Sequence, residues 1–213
     1  MTDFTMAVRH WQGSEPDAGA QSETIGGLWV KSGAVDFGNR VYAAGEGFIF
    51  GPNDLFGAAE PTGCTGILFE LIATGSSKMR AAPPVLERPV TWPDGPVLLR
   101  LDQVMFPPGA VAYRHVHPGD GIRYLIAGEL NLISDTGQHT ATPGEAWFEP
   151  ADTPVRAEAS KAHSETGFVR MMVLPPRYLG QPTINIIDPA DRVRPRLQTT
   201  TRHDERIIQR DPG

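Results

Sequence analysis

Read by the alternation of apolar and polar positions, the second half of the chain breaks into short strands. "VLLRLDQVMF", "AVAYRHVH", "GIRYLIAG", "ELNLIS", "HTAT", "EAWFEP", "VRAEAS" and "FVRMMVLP" follow at close spacing, cut by PPG, HPGD, AGE, DTG and TPG turns. Apolar residues at every second position line one face of a pleated strand. A series of such runs with turn signals between them predicts an all-β barrel or sandwich over residues 97–187. Earlier in the chain, the stretches from "LWVKSGAVDFGNRVYAAGEGFIFG" to "TGILFELIATG" are apolar but interrupted by glycines, and they predict a β extension or a degenerate second barrel over residues 25–96. Residues 1–24 are polar and patternless and are expected to form a loose arm. The proline-rich "MRAAPPVLERPVTWPDGP" is expected to be a linker or a strap along a sheet edge. "TINIID" predicts one more strand, and the charged tail over residues 188–213 an arm that packs or stays mobile.

Composition narrows the class without changing this picture. With 23 Gly and 20 Pro in 213 residues, the chain is punctuated too often for long helices. A net charge of -6 gives no reason to expect nucleic acid or an anionic membrane as partner. No apolar run is long enough to span a bilayer, and "MTDFTMAVRHWQGSEPDAGA" has neither the basic nor the apolar region of a signal peptide. The single cysteine, Cys64, forms no internal disulfide and suits a reducing, cytoplasmic setting.

The candidate chemistry lies in "PPGAVAYRHVHPGDGIRYLIAGEL". Strand alternation turns His115 and His117 to one face, close enough together to share one metal ion. The same pleat puts Tyr113 on that face. The spacing Gly109, five residues, His115-x-His117, three residues, Gly121, six residues, Gly128 resembles the first motif of the cupin superfamily. The second cupin motif can be laid on Gly144, Pro150, Asp152, Val155 and Ala159 with its spacing intact, keeping the Gly and Pro and losing its other three residues. The resemblance implies a cupin-like antiparallel double-stranded β-helix barrel with a site inside its mouth, and one divalent transition ion (Fe, Mn, Ni or Zn) held by histidines and a carboxylate. His115 and His117 carry over. The motif's glutamate position is Gly121 and its second-motif histidine position is Val155, so half of that ligand set is absent.

The pleat offers replacements. Arg123 on the next strand and Trp147 and Glu149 in "GEAWFEP" point inward, and buried charges there need partners. Either Glu149 is a substitute metal ligand, or it pairs with Arg123 across the barrel, or Arg123 is left to bind an anionic substrate bidentately. Tyr113 acts as proton donor or orienter, or simply lines the barrel. Two function classes follow. One is a metal-dependent enzyme acting on a small, carboxylate-bearing molecule by oxygenation, isomerisation or lyase chemistry. The other is a non-catalytic binding or accessory barrel with weak metal or none. A homodimer is expected, since cupins often pair by exchanging edge strands.

Overall fold

The computed structural model describes residues 3–13, 24–73, 83–92 and 94–209. The chain divides into two compact units, Met1–Asp94 and Gly95–Gly213. Both are built from antiparallel strands, and no helix among the described residues is long and apolar enough to cross a membrane.

Among the described residues the first unit has eight strands: β1 (Asp3–Gly13), β2 (Ile25–Ser32), β3 (Ala34–Phe37), β4 (Arg40–Ala43), β5 (Gly47–Phe50), β6 (Phe56–Ala58), β7 (Cys64–Ala73) and β8 (Leu86–Thr91). They form a five-stranded sheet in the order β5-β2-β7-β1-β8 and a three-stranded sheet β4-β3-β6. A core of Leu28, Val30, Val35, Phe48, Phe50 and Phe56 belongs to this unit alone. The loose arm expected over residues 1–24 is corrected here. Residues 3–13 are an inner strand paired on both sides, with Met6, Ala7 and Val8 fully buried. Phe4, Met6 and Val8 stand at alternate positions, a run too short to predict a strand by itself, and pairing with β7 and β8 fixes the conformation. The polar stretch 14–23 lies outside the described residues. The proline-rich segment behaves as expected where it is described: β8 is an edge strand carrying Pro89, a position where a missing N–H is tolerated.

The second unit contains β9 (Val97–Phe106), β10 (Val111–Val116), β11 (Gly121–Ala127), β12 (Leu130–Ser134), β13 (Gly137–Ala141), β14 (Ala146–Glu149), β15 (Val155–Ala159), β16 (Thr166–Leu174), β17 (Asn185–Ile186) and β18 (Thr199–Ile208). Two five-stranded sheets, β13-β12-β15-β10-β17 and β14-β11-β16-β9-β18, make up the barrel. Val104, Phe106, Leu125 and Phe168 of one sheet meet Leu130, Leu132 and alanines of the other in a single core. The tail expected as an arm is in large part β18, which pairs with β9 from Thr199↔Met105 to Ile208↔Val97.

The motif glycines have a backbone reason. Gly109, Gly128 and Gly144 sit at turns with φ of 71°, 68° and 99°, where an L side chain is strained. Asp152, which stands where the second motif has glycine, also takes a left-handed φ of 56°. Aspartate tolerates this conformation better than most residues, so the turn survives the substitution.

Candidate functional site

Strand β10 breaks its own alternation. Its register with β15 shifts between Ala112 and His115, a bulge that puts Ala112 and His115 on the inward side and leaves Tyr113 off it. Tyr113 therefore does not share the histidine face as expected; its ring lies under the guanidinium groups of Arg156 and Arg194. His115 and His117 do face one cavity of about 290 Å³ inside the second unit. They are 5% and 4% exposed, with rings nearly perpendicular.

Each imidazole is oriented by a backbone carbonyl. His115 Nδ1 lies 2.7 Å from Tyr113 O and His117 Nδ1 lies 3.1 Å from Thr183 O. A carbonyl oxygen only accepts, so both Nδ1 atoms carry the ring proton and both Nε2 atoms present lone pairs. Those two Nε2 atoms stand 3.2 Å apart. Burial pulls both histidines below the ordinary histidine pKa, His117 strongly, with Arg170 and Arg123 adding to the effect. Two neutral imidazoles thus aim lone pairs at one spot.

The wall opposite is a row running across the five strands of the second sheet, four charged side chains with Trp147 at one end. Trp147, Arg123, Arg170, Asp102 and Arg202 are successive cross-strand partners. Arg123 and Arg170 are like charges in register, an arrangement that is unfavourable unless each has a counter-ion. Arg170 has one: its Nε and Nη2 donate to the two oxygens of Asp102 at 2.5 and 3.1 Å. Burial works to lower the Arg170 pKa, but the Asp102 carboxylate outweighs it and raises it. Arg170 Nη1 also lies 3.4 Å from His117 Nε2.

Arg123 is fully buried, and its pKa is pulled down to about 10 by that burial against the attraction of Glu149. Its Nη1 donates to Gly121 O at 2.5 Å, and its Nη2 lies 2.8 Å from Glu149 Oε2. The Nη2–Oε2 approach is an ion pair by distance without hydrogen-bond alignment, because Nη2 and Nε both lack an aligned acceptor. Nε and Nη2 form the guanidinium edge that takes a carboxylate side-on. Gly121 makes this placement possible. A Cβ there would come within 2.8 Å of Arg123 Nη1 and 3.0 Å of Met171 O. The position that holds glutamate in the cupin motif is thus occupied from the side by a guanidinium.

Glu149 accepts from Trp147 Nε1 at 2.8 Å. Burial raises its pKa, but Arg123, His115 and the Trp147 bond together hold it below the ordinary carboxylate value. Its Oε2 is 3.9 Å from His117 Nε2, so in this arrangement the carboxylate is with the arginine. Two nitrogens bound to one ion at about 2.0–2.1 Å sit roughly 3 Å apart, and the histidine pair matches that spacing. No group of three or more His, Cys, Asp or Glu that could hold a metal is present among the described residues. The chain therefore brings together two donors that fit an ion, with one carboxylate nearby.

Several lining residues escaped the sequence reading. Arg100, Asp102 and Arg170 sit inside strands that are otherwise apolar, and charged residues spaced i, i+2 in "LLRLDQV" were the available signal. Arg196, Gln198, Thr200 and Arg202 reach the cavity from the tail. His139 and His163 lie outside it, near Glu145 and Glu129.

The model of the cupin domain family matches residues 103–163. Among solved structures, the formate complex of oxalate decarboxylase from Lactobacillus farciminis is similar at 10% identity, covering 92% of this chain and 82% of that one, with a TM-score of 0.58. AerE from Microcystis aeruginosa is similar at 11% identity, covering 82% and 88%, with a TM-score of 0.51. At these identities the likeness is one of fold. No curated protein matches the chain.

Proposed function

On the premise that the chain is a divergent member of the cupin superfamily, we propose that its second unit is a metal-dependent enzyme acting on a small organic acid. The observation that carries this reading is the pair of buried Nε2 lone pairs 3.2 Å apart, each ring locked by a carbonyl at Nδ1. Neutral, oriented imidazoles with hydrogen-bonded second nitrogens are the usual form of histidine metal ligands. His115 and His117 would hold the ion, with Glu149 the nearest carboxylate. A divalent transition ion with open positions supplies Lewis acidity or an oxygen-binding position, as oxygenation, isomerisation or lyase chemistry requires. The chain's own part is to bind and orient. Arg123, with Nη2 paired to Glu149, offers its acceptor-free Nε to a substrate carboxylate. Arg170, fixed by Asp102, adds positive charge beside His117. Trp147 and Phe168, in edge contact, form an apolar wall that excludes water from the substrate's body.

Protein purified without added metal or chelator is expected to contain a divalent transition ion, and a His115→Ala, His117→Ala variant to lose it. Metal-free protein that gains no thermal stability from Fe, Mn, Ni or Zn would sink the enzyme reading. A second reading is a barrel that binds the organic acid without metal. It is favoured by the guanidinium groups of Arg123 and Arg170, which oppose a dication beside the histidines. Carboxylate binding by the metal-free protein, with no metal uptake, would establish it. The homodimer belongs to the same proposal, and sedimentation at two concentrations decides it.

A further inference from the structure

The cavity carries more positive charge than its own carboxylates neutralise, and the surplus has an address. Five arginines line it, namely Arg100, Arg123, Arg170, Arg196 and Arg202. Glu149 sits against Arg123 and Asp102 against Arg170. Glu205 is shared, 2.5 Å from Arg100 and 3.2 Å from Arg202. Arg196 has no hydrogen bond or ion pair among the described residues, and it is exposed. It stands on the lining at the solvent side, whereas Arg123 is fully buried, with its Nη2 2.8 Å from Glu149 Oε2 and its Nε without an acceptor.

Extended alternation explains how the tail presents these groups. Arg196, Gln198, Thr200 and Arg202 line the cavity at every second position, while Leu197 between them is 54% exposed. Pairing of β18 with β9 sets this register, with Thr200 opposite Val104 and Arg202 opposite Asp102. The Gln198 side-chain oxygen is buried without a donor, so a ligand N–H or O–H is the group it lacks. The same lining has an apolar part, from Trp147, Phe168, Leu132 and Val104.

The geometry points to a ligand with two anionic groups on a short apolar body: one carboxylate at the acceptor-free Nε of Arg123, the second on Arg196. In this arrangement Arg196 is the residue that selects diacids over monoacids, and Gln198 reads a donor between them. The inference rests on the reading that the cavity takes a small organic acid.

The test is calorimetric titration of the full-length protein with chain-matched pairs, butyrate against succinate and hexanoate against adipate. The diacid of at least one pair is expected to bind about tenfold more tightly than its monoacid, the scale of one charge-assisted contact of roughly 1.4 kcal/mol. Arg196→Met, at an exposed position, should erase that preference. A diacid preference that survives Arg196→Met, as metal chelation by the diacid would, overturns the assignment. So do mono- and diacids that bind equally well. Failure of every probe to bind overturns the organic-acid reading as well, which separates the two failures.

Discussion

At the scale of the residue, Glu149 is the side chain on which most depends. It is the counter-ion of a fully buried arginine and the nearest carboxylate to two metal-competent imidazoles. Removing one partner of a buried pair strands the other charge, at a cost of about 3–5 kcal/mol. Glu149→Gln is therefore expected to lower stability by about that much at neutral pH. The sign of the pH dependence follows from its depressed pKa in the fold. As pH falls through the ordinary carboxylate value of about 4.3, the unfolded chain takes up the proton first. The stabilisation is thus present at neutral pH and is lost as pH falls toward the folded pKa. Denaturant midpoints measured from neutral pH down to pH 3.5 should show the gap between wild type and Glu149→Gln narrowing on the acid side. A gap independent of pH would mean that the carboxylate is not held by Arg123. The sequence already showed Arg123 and Glu149 turning inward, because alternation in short strands is a local property. It could not show whether Glu149 takes a metal ion or Arg123, because distances of a few ångströms across the sheet depend on how three strands twist and pack.

At the scale of the element, two features separate pattern from outcome. In β10 the bulge between Ala112 and His115 cancels the alternation that placed Tyr113 beside the histidines. A single extra residue leaves no mark in composition, and it arises from the pairing with β15. The tail is the second case. "RPRLQTTTRHDERII" is charged and reads as an arm, yet β18 closes the edge of β9 and brings Glu205 to Arg100, which is 1% exposed. Deleting residues 196–213 would expose that edge and strand Arg100, so the melting temperature should fall by roughly 10 °C or more for a loss of about 3–5 kcal/mol. Glu205→Gln alone should reproduce a large part of that fall. Thermal unfolding of both variants within a degree of wild type would refute the structural role given to the tail.

At the scale of the whole molecule, each unit has its own apolar core, and the candidate cavity is lined by residues of the second unit. Residues 95–213 expressed alone are therefore expected to unfold in one cooperative transition by circular dichroism and calorimetry. A non-cooperative melt would show that this core does not suffice. The sequence by itself determined the all-β class, the barrel over its second half, the turns at Gly109, Gly128 and Gly144, and the histidine pair. All of these follow from interactions within a few residues: side-chain alternation, backbone sterics at turns, and the i, i+2 geometry of a strand. The tertiary structure alone decided that residues 3–13 are an inner strand, that Tyr113 leaves the site, that Glu149 sits with Arg123, and that the tail arms the cavity with Arg196. Those outcomes rest on pairing between segments far apart in the chain, where register and counter-ion choice are set by the partner strand rather than by the residues themselves.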